Sequence, residues 1–250
     1  MMITRAVVPT LFTVLNMFCG FLSIIQVSDG KFVEAGYFIL LAGVFDSLDG
    51  VMARLTKSSS QFGVEIDSLS DVVSFGAAPA FLVYKLHLFQ LGTVGIIISS
   101  LLVILGGIRL ARFNVQLVGF DKDYFRGLPI PSSAIAIVFY VLTFSIDGNR
   151  FEGLAGTLLP FVVVAISLLM VSTIKYDTLP KLSKKEITKH PIRFISYFFA
   201  LLVIVFTKGE AVFYVFSVFI VFGILRHLVG LLKHEEKVES EIEEAPSYDI

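Results

Sequence analysis

Long apolar stretches, separated by short polar ones, dominate the pattern of this chain. We identify eight apolar segments, most of them close to the roughly 20 residues with which a helix spans a bilayer. They cover residues 8–27, 33–55, 64–86, 92–113, 130–146, 153–173, 192–207 and 211–232. The fifth and the seventh are short for a span. The pattern predicts an all-α integral membrane protein, a multi-span bundle of about eight transmembrane helices.

The composition agrees with this class. Of the 250 residues, 56% are hydrophobic, which is typical of a membrane protein rather than of a soluble domain with a large core. The single cysteine, Cys19, excludes a disulfide within the chain and any cysteine-based metal cluster. We expect membrane lipid to surround the protein, and we expect no nucleic-acid partner. A homodimer is a candidate assembly.

The distribution of charge predicts the orientation. With the amino terminus in the cytoplasm, 16 of the 20 Lys and Arg residues fall inside, and only Lys31, Lys85, Arg150 and Lys208 fall outside. This is a clear positive-inside bias. We therefore expect the cytoplasmic membrane of a prokaryote, with the working surface and both termini facing the cytoplasm. The first segment is expected to be retained, because no Ala-x-Ala-like cleavage site follows it.

Four aspartates interrupt the second and third apolar segments. On a helix, positions three, four and seven apart share one face, so the acids form one stripe on each segment. Four carboxylates at mid-bilayer would cost about 10 kcal/mol if nothing neutralised them. Divalent metal ions such as Mg or Mn are suited to carboxylate oxygens. The pattern comprises Asp46, Asp49, Gly50, Ala53, Arg54, Gly63, Asp67 and Asp71.

The stripes are compatible with two kinds of chemistry. Carboxylates on adjacent helices could hold two divalent ions about 3.5–4 Å apart, an arrangement used for displacement at phosphorus, and one carboxylate could act as general base. Gly50, Ala53 and Gly63 leave room for a flat ligand, although small residues also allow close helix packing. Acids within a membrane are equally expected in a transporter for protons or divalent cations. Spacing alone leaves enzyme and transporter open.

The full pattern resembles the signature of the CDP-alcohol phosphotransferases, membrane enzymes that make phospholipids from a CDP-linked donor and an alcohol. All of its fixed positions are met within residues 46–71. Other segments look like the phosphatidylserine synthase branch, namely residues 9–20, 74–79, 109–114 and 127–131. The glycerol-phosphate branch tends to have Asp-Pro-x-Ala-Asp-Lys across the last two acids. Residues 67–72 of this chain read Asp-Ser-Leu-Ser-Asp-Val and lack both the proline and the lysine.

The resemblance implies transfer of a phosphatidyl group from CDP-diacylglycerol to the hydroxyl of L-serine, with release of CMP. It implies that Asp46, Asp49, Asp67 and Asp71 hold two metal ions, and that Asp71 also acts as general base. Glycerol 3-phosphate and inositol phosphate are alternative acceptors, and a divalent-cation transporter is the alternative from another class. The nucleotide pocket would be lined by Gly50, Ala53, Arg54 and Gly63.

Three further polar residues are candidates for binding the donor phosphate or the serine carboxylate. Arg109 and Arg112 lie three residues apart near the inner end of the fourth segment, where they could also serve as interfacial anchors. Asn16 lies within the first segment, and its amide could instead bond to a neighbouring helix.

The resemblance also predicts three regions along the chain. Residues 1–180 form the predicted membrane core, which in this family usually has six spans. Residues 181–232 comprise a basic cytoplasmic loop and two additional spans, to which we assign no function. Residues 233–250 form an acidic tail that we predict to be disordered.

Overall fold

The computed structural model describes residues 3–56, 60–117, 124–146, 148–177, 206–207 and 211–226. The chain divides into two compact units. The first comprises Met1–Lys122 and Arg126–Thr173, and the second comprises Asp123–Phe125 and Ile174–Ile250. All residues of the predicted metal, nucleotide and substrate sites belong to the first unit.

Helices make up the first unit. A π-helical turn, Val72–Ala77, joins the helices Gln61–Asp71 and Ala78–Leu86 without a break, and a short 3-10 helix, Leu88–Leu91, precedes the helix Thr93–Leu117. The α-helices are α1 (Ile3–Ser28), α2 (Phe32–Thr56), α3 (Gln61–Asp71), α4 (Ala78–Leu86), α5 (Thr93–Leu117), α6 (Ile130–Phe144) and α7 (Gly153–Val171). Two three-residue strands, β1 (Tyr124–Arg126) and β2 (Lys175–Asp177), pair with each other.

The helices confirm the predicted class of helical membrane protein. Four of the described helices are long and apolar enough to cross a membrane, and they cover Pro9–Ser28, Gln61–Leu86, Thr93–Val115 and Gly153–Val171. The second and fifth predicted segments correspond to α2, which carries the aspartates, and to the shorter α6. The eighth is helical over Val212–Arg226, whereas the seventh lies almost entirely outside the described residues. The number of eight spans stays a prediction.

Local sequence determines where the site helices begin. Ser60 caps α3, because its hydroxyl accepts a hydrogen bond of 3.0 Å from the backbone N–H of Gly63. Pro131 occupies the first turn of α6, where no backbone N–H is required. The positive φ of 78° at Gly127 suits a residue without a side chain, and Leu128 N–H then bonds to Leu169 O at 2.9 Å. The start of α6 is thereby held against the end of α7.

A polar stripe on α1 faces the interior of the first unit. Its buried members recur every three or four residues, and they include Thr13, Asn16, Gly20 and Ser23. At Gly20 the backbone approaches the π-helical turn so closely that a Cβ atom would lie 2.6 Å from Ser74 Cα. The glycine therefore sets the distance between α1 and the segment that directly follows Asp71.

Candidate active site

The structure brings the two predicted acid stripes together. Carboxylate oxygens of Asp46, Asp49 and Asp67 all lie within 4.8 Å of one another, two from α2 and one from α3. Asp49 is buried, and Asp46 and Asp67 are partly exposed. Helical spacing alone predicted each stripe, and the packing of both α2 and α3 against α1 brings the stripes together.

Asp71 lies one turn beyond Asp67 on α3 and is buried. It is not a member of the group of three acids, but its carboxyl group interacts with that of Asp46. Its Oδ1 also accepts a hydrogen bond of 3.3 Å from Asn16 Nδ2. The site thus consists of three clustered acids and a fourth acid that lies deeper, beside α1.

The acids fit a divalent cation. The donor set consists of carboxylate oxygens, the ligand type that Mg and Mn prefer. Three carboxylates within 4.8 Å of one another repel each other unless a cation or protons intervene. Oδ1 of Asp67 is also buried and accepts no hydrogen bond from the described residues, so it retains an unused ligand position.

The glycines beside the acids are open rather than packed against another helix. A Cβ atom at Gly50 would meet, among the described residues, only Arg54 Nη1 at 3.6 Å, and one at Gly63 only Ser60 Oγ at 3.2 Å. Gly20 is different, because Ser74 lies directly against it. The geometry therefore favours space for a ligand at Gly50 and Gly63 over small-residue helix packing. Ala53 is partly exposed, and Arg54 is exposed at the rim of the space beside Gly50.

The two predicted arginines have different surroundings. Arg109 is buried, and its guanidinium lies 5.9 Å from the centre of the Phe113 ring and interacts electrostatically with Asp71. Its Nε has no hydrogen-bond partner within the described part of the chain. Arg112 instead donates to two backbone oxygens at the end of α7. Substrate binding and interfacial anchoring both stay predictions for the two arginines, and the structure shows that Arg112 bonds to the end of α7.

Helix α1 contributes more to the site than the sequence indicated. Asn16 was a candidate, whereas the contact of Thr13 with an acid was not predicted. Thr13 Oγ1 lies 3.1 Å from Asp49 Oδ2 and 3.2 Å from the carbonyl oxygen of Pro9, so its one proton is shared between the two acceptors. The only sequence signal was the position of Thr13 three residues before Asn16, on the same helical face.

A second contact that the sequence did not reveal joins α5 to α3. Asn114 Nδ2 donates a hydrogen bond of 2.8 Å to the hydroxyl of Ser68, the residue after Asp67. This contact joins the end of α5 to the residue that follows Asp67 on α3.

A cavity of about 970 Å³ lies elsewhere in the first unit. It is lined by residues of α5, α7 and the segment around His87, among them Phe151, Gly156 and Phe161. None of the predicted metal, nucleotide or substrate residues lines it, so the cavity is separate from the acids.

Comparison with a family model supports the assignment of the acids to a known signature. The model of the CDP-alcohol phosphatidyltransferases matches residues 6–173, which span the helices α1 to α7 almost completely.

Curated relatives extend the similarity beyond this region. A CDP-diacylglycerol–serine O-phosphatidyltransferase of Helicobacter pylori is 36% identical over 230 residues, which are 90% of this chain and 92% of the relative. One of the same name from Methanocaldococcus jannaschii is 34% identical over 220 residues, or 87% and 92% of the two chains. An archaetidylserine synthase of Methanothermobacter thermautotrophicus is 42% identical over 170 residues, or 67% and 68% of the two chains.

Proposed function

Because this chain belongs to the CDP-alcohol phosphatidyltransferase family, we propose that it transfers the phosphatidyl group of CDP-diacylglycerol to L-serine. The products are phosphatidylserine and CMP. The serine hydroxyl attacks the β-phosphorus, the new O–P bond forms, and the bond to the oxygen of CMP breaks. The observation that carries this proposal is the convergence of Asp46, Asp49 and Asp67 on one point, within the signature of a family whose relatives bear this activity in their names.

Asp46, Asp49 and Asp67 would hold divalent metal, Mg or Mn, and Asp71 would complete a site for two ions. The carboxylate oxygens of Asp46, Asp49 and Asp67 lie within 4.8 Å of one another, and Oδ1 of Asp67 is unused. Both observations support this role. When bound, such ions neutralise the diphosphate and stabilise the attacking and departing oxygens of the displacement. The carboxylates would fix the position of the cations, and thereby the place at which the diphosphate would be held.

Asp71 is the proposed general base. It lies outside the group of three acids, so its carboxylate is less committed to metal and can accept the proton of the serine hydroxyl. Arg109 lies near it with an unused Nε–H, which suits the carboxylate of serine. An acceptor bound between the two would have its hydroxyl at the base and its carboxylate at the guanidinium.

The cytidine nucleotide is proposed to bind beside the open glycines. Gly50 and Gly63 face no other described helix, Ala53 adds little bulk, and Arg54 supplies a cation at the rim. The lipid part of the donor would remain in the hydrocarbon layer, while its head group reaches the acids.

We further propose the finer topology that the sequence predicts. Eight spans follow from the eight apolar segments, and the location of both termini and the active site at the cytoplasmic side follows from the positive-inside bias. The membrane core ends near residue 180, residues 181–232 add the last two spans, and residues 233–250 form the tail. Assembly as a homodimer belongs to the same proposal, and crosslinking in native membranes tests it.

The decisive experiment is an acceptor panel with CMP release as the readout. The full chain, purified in detergent, receives CDP-diacylglycerol, Mg or Mn, and one of serine, glycerol 3-phosphate or inositol phosphate. We expect CMP release with serine and with neither of the other two acceptors. Parallel reactions with an ether-linked donor show which lipid donor is accepted. Asp49→Asn, which alters one carboxylate in the group, should be inactive.

The other outcomes of the panel are equally informative. Release with glycerol 3-phosphate and none with serine would reject the acceptor while retaining the family. Metal flux into liposomes in the absence of any CDP-linked lipid, together with no CMP release in the panel, would instead support a transporter.

A further inference from the structure

Two side chains of α1 each donate a hydrogen bond to one of the signature aspartates. Thr13 Oγ1 lies 3.1 Å from Asp49 Oδ2, and Asn16 Nδ2 lies 3.3 Å from Asp71 Oδ1. The relative exposure of Thr13 is 4% and that of Asn16 is 0%. Helix α1 lies outside the signature, yet it contacts one acid on α2 and one on α3.

Two hydrogen bonds from serine side chains near Asp71 hold the backbone of α1 in register. The carbonyl oxygen of Thr13 accepts a 3.0 Å bond from Ser70 Oγ, and that of Asn16 accepts a 2.8 Å bond from Ser74 Oγ. Ser70 and Ser74 are one turn apart on either side of Asp71. Because Ser74 also fills the space beside Gly20, α1 cannot shift along α3 without breaking these contacts.

Each side-chain bond occupies one oxygen of its carboxylate. Oδ2 of Asp49 and Oδ1 of Asp71 accept these bonds, and neither bond uses the second oxygen of its carboxylate. The amide oxygen of Asn16 is buried and has no partner among the described residues. A buried amide with an unused acceptor is unfavourable for packing alone, which favours a role for Asn16 at Asp71.

We propose that Thr13 and Asn16 are positioning residues, which orient Asp49 for metal binding and Asp71 for proton transfer. The inference rests on the proposed function for the roles of the two acids. Side chains that hold a metal ligand in place contribute about 10–100-fold to metal affinity or activity. The contribution of Thr13 is therefore measurable as metal binding, without turnover.

The test of Thr13 uses Mn²⁺ and saturating CMP with the full-length protein in detergent. Free Mn²⁺ is followed by its electron paramagnetic resonance signal. Thr13→Val retains the volume and removes the hydroxyl, and we expect its Kd for Mn²⁺ to rise about 10–100-fold. Thr13→Ser retains the donor and should stay within about threefold of the wild type.

Ser99→Ala is the matched control, because Ser99 is buried and its hydroxyl bonds, among the described residues, only to carbonyls of its own helix. It should bind Mn²⁺ like the wild type. Wild-type affinity in Thr13→Val, or an equal loss in Ser99→Ala, would overturn the role of Thr13. Should valine prevent folding, Thr13→Ala replaces it, since the smaller side chain fits the same space.

The test of Asn16 separates turnover from binding. Asn16→Leu retains the approximate volume and removes the amide, and we expect kcat to fall about 10–100-fold. Its KM for serine, its KM for the donor and its Kd for Mn²⁺ should each stay within about threefold of the wild type. A raised KM for the donor with normal kcat would instead assign Asn16 to phosphate binding, and unchanged kinetics would also refute the proposal.

The two proposals fail separately. If the wild type releases no CMP with serine but Thr13→Val still loses Mn²⁺ affinity, the acceptor is wrong and the role of α1 stands. If the wild type turns serine over and Thr13→Val binds Mn²⁺ normally, the function stands and the inference about α1 is wrong.

Discussion

Arg112 Nη1 donates a hydrogen bond of 2.9 Å to the carbonyl oxygen of Val171, the last residue of α7. Its Nη2 lies 3.4 Å from the carbonyl oxygen of Ser172. A helix leaves its final carbonyl groups without intrahelical partners, and a cation is favourable beside them. The guanidinium of Arg112 therefore joins α5 to α7, whereas that of Arg109, three residues earlier, is buried near Asp71.

Arg112→Met should reduce stability more than catalysis. Loss of hydrogen bonds from a charged donor costs about 1.5–3 kcal/mol, and the carbonyl groups of α7 lose their partner. We expect a lower midpoint of thermal unfolding in detergent, with the KM for serine nearly unchanged for the folded fraction. A normal midpoint combined with a raised KM for serine would show that Arg112 binds substrate.

Arg109→Gln should impair acceptor binding. The proposed pairing of its guanidinium with the serine carboxylate involves charged hydrogen bonds worth about 1.5–3 kcal/mol, which corresponds to an increase in KM of roughly 10–150-fold. The KM for serine is measured by CMP release at saturating donor. If the KM for CDP-diacylglycerol rises instead, Arg109 contacts the donor phosphate.

Asp71→Asn should abolish turnover and largely preserve nucleotide binding. An amide cannot accept the proton of the serine hydroxyl, and general-base catalysis contributes about 10²–10⁴-fold. CMP release measures turnover, and calorimetry with CMP measures binding. Full activity in this variant would contradict the assignment of the base.

Gly20→Ala should destabilise the contact between α1 and the π-helical turn. The added methyl group would lie 2.6 Å from Ser74 Cα, and overpacking of this kind costs about 1–3 kcal/mol. Gly43→Ala is the matched control, because its Cβ would lie 3.9 Å from the Phe75 ring, an ordinary contact. Thermal unfolding should show a lower midpoint for the first variant only, and equal midpoints would disprove the close approach.

Removal of divalent metal should abolish the reaction reversibly. Treatment with EDTA is expected to stop CMP release, and added Mg or Mn should restore it. Metal at about 100 times its Kd should also stabilise the folded state by about 2.7 kcal/mol, which raises the midpoint of unfolding. Asp46→Asn is the control, and it should lose both the activity and the stabilisation. Full activity after exhaustive chelation would exclude a metal-dependent reaction.

The sequence predicted which acids share a helix face, but it did not predict the contacts between side chains of different helices. Spacing of three and four residues predicted that Asp46 and Asp49 share a face, as do Asp67 and Asp71, because a helix has 3.6 residues per turn. The hydrogen bond from Thr13 to Asp49 was out of reach, since the two residues are 36 positions apart and meet only through the packing of α1 on α2. Likewise, the partners of Arg112 lie 59 and 60 positions away.

By itself, the sequence determined the membrane class, the helical segments and the signature that specifies the family, because these depend on local composition and spacing. Only the tertiary structure decided the surroundings of the site residues, which spacing left open. It shows that Gly50 and Gly63 are open while Gly20 is packed, and that Arg109 lies near the acids while Arg112 braces a helix end. The physical reason is that the surroundings of a side chain depend on which helices pack against it, and residues distant in the sequence supply those neighbours.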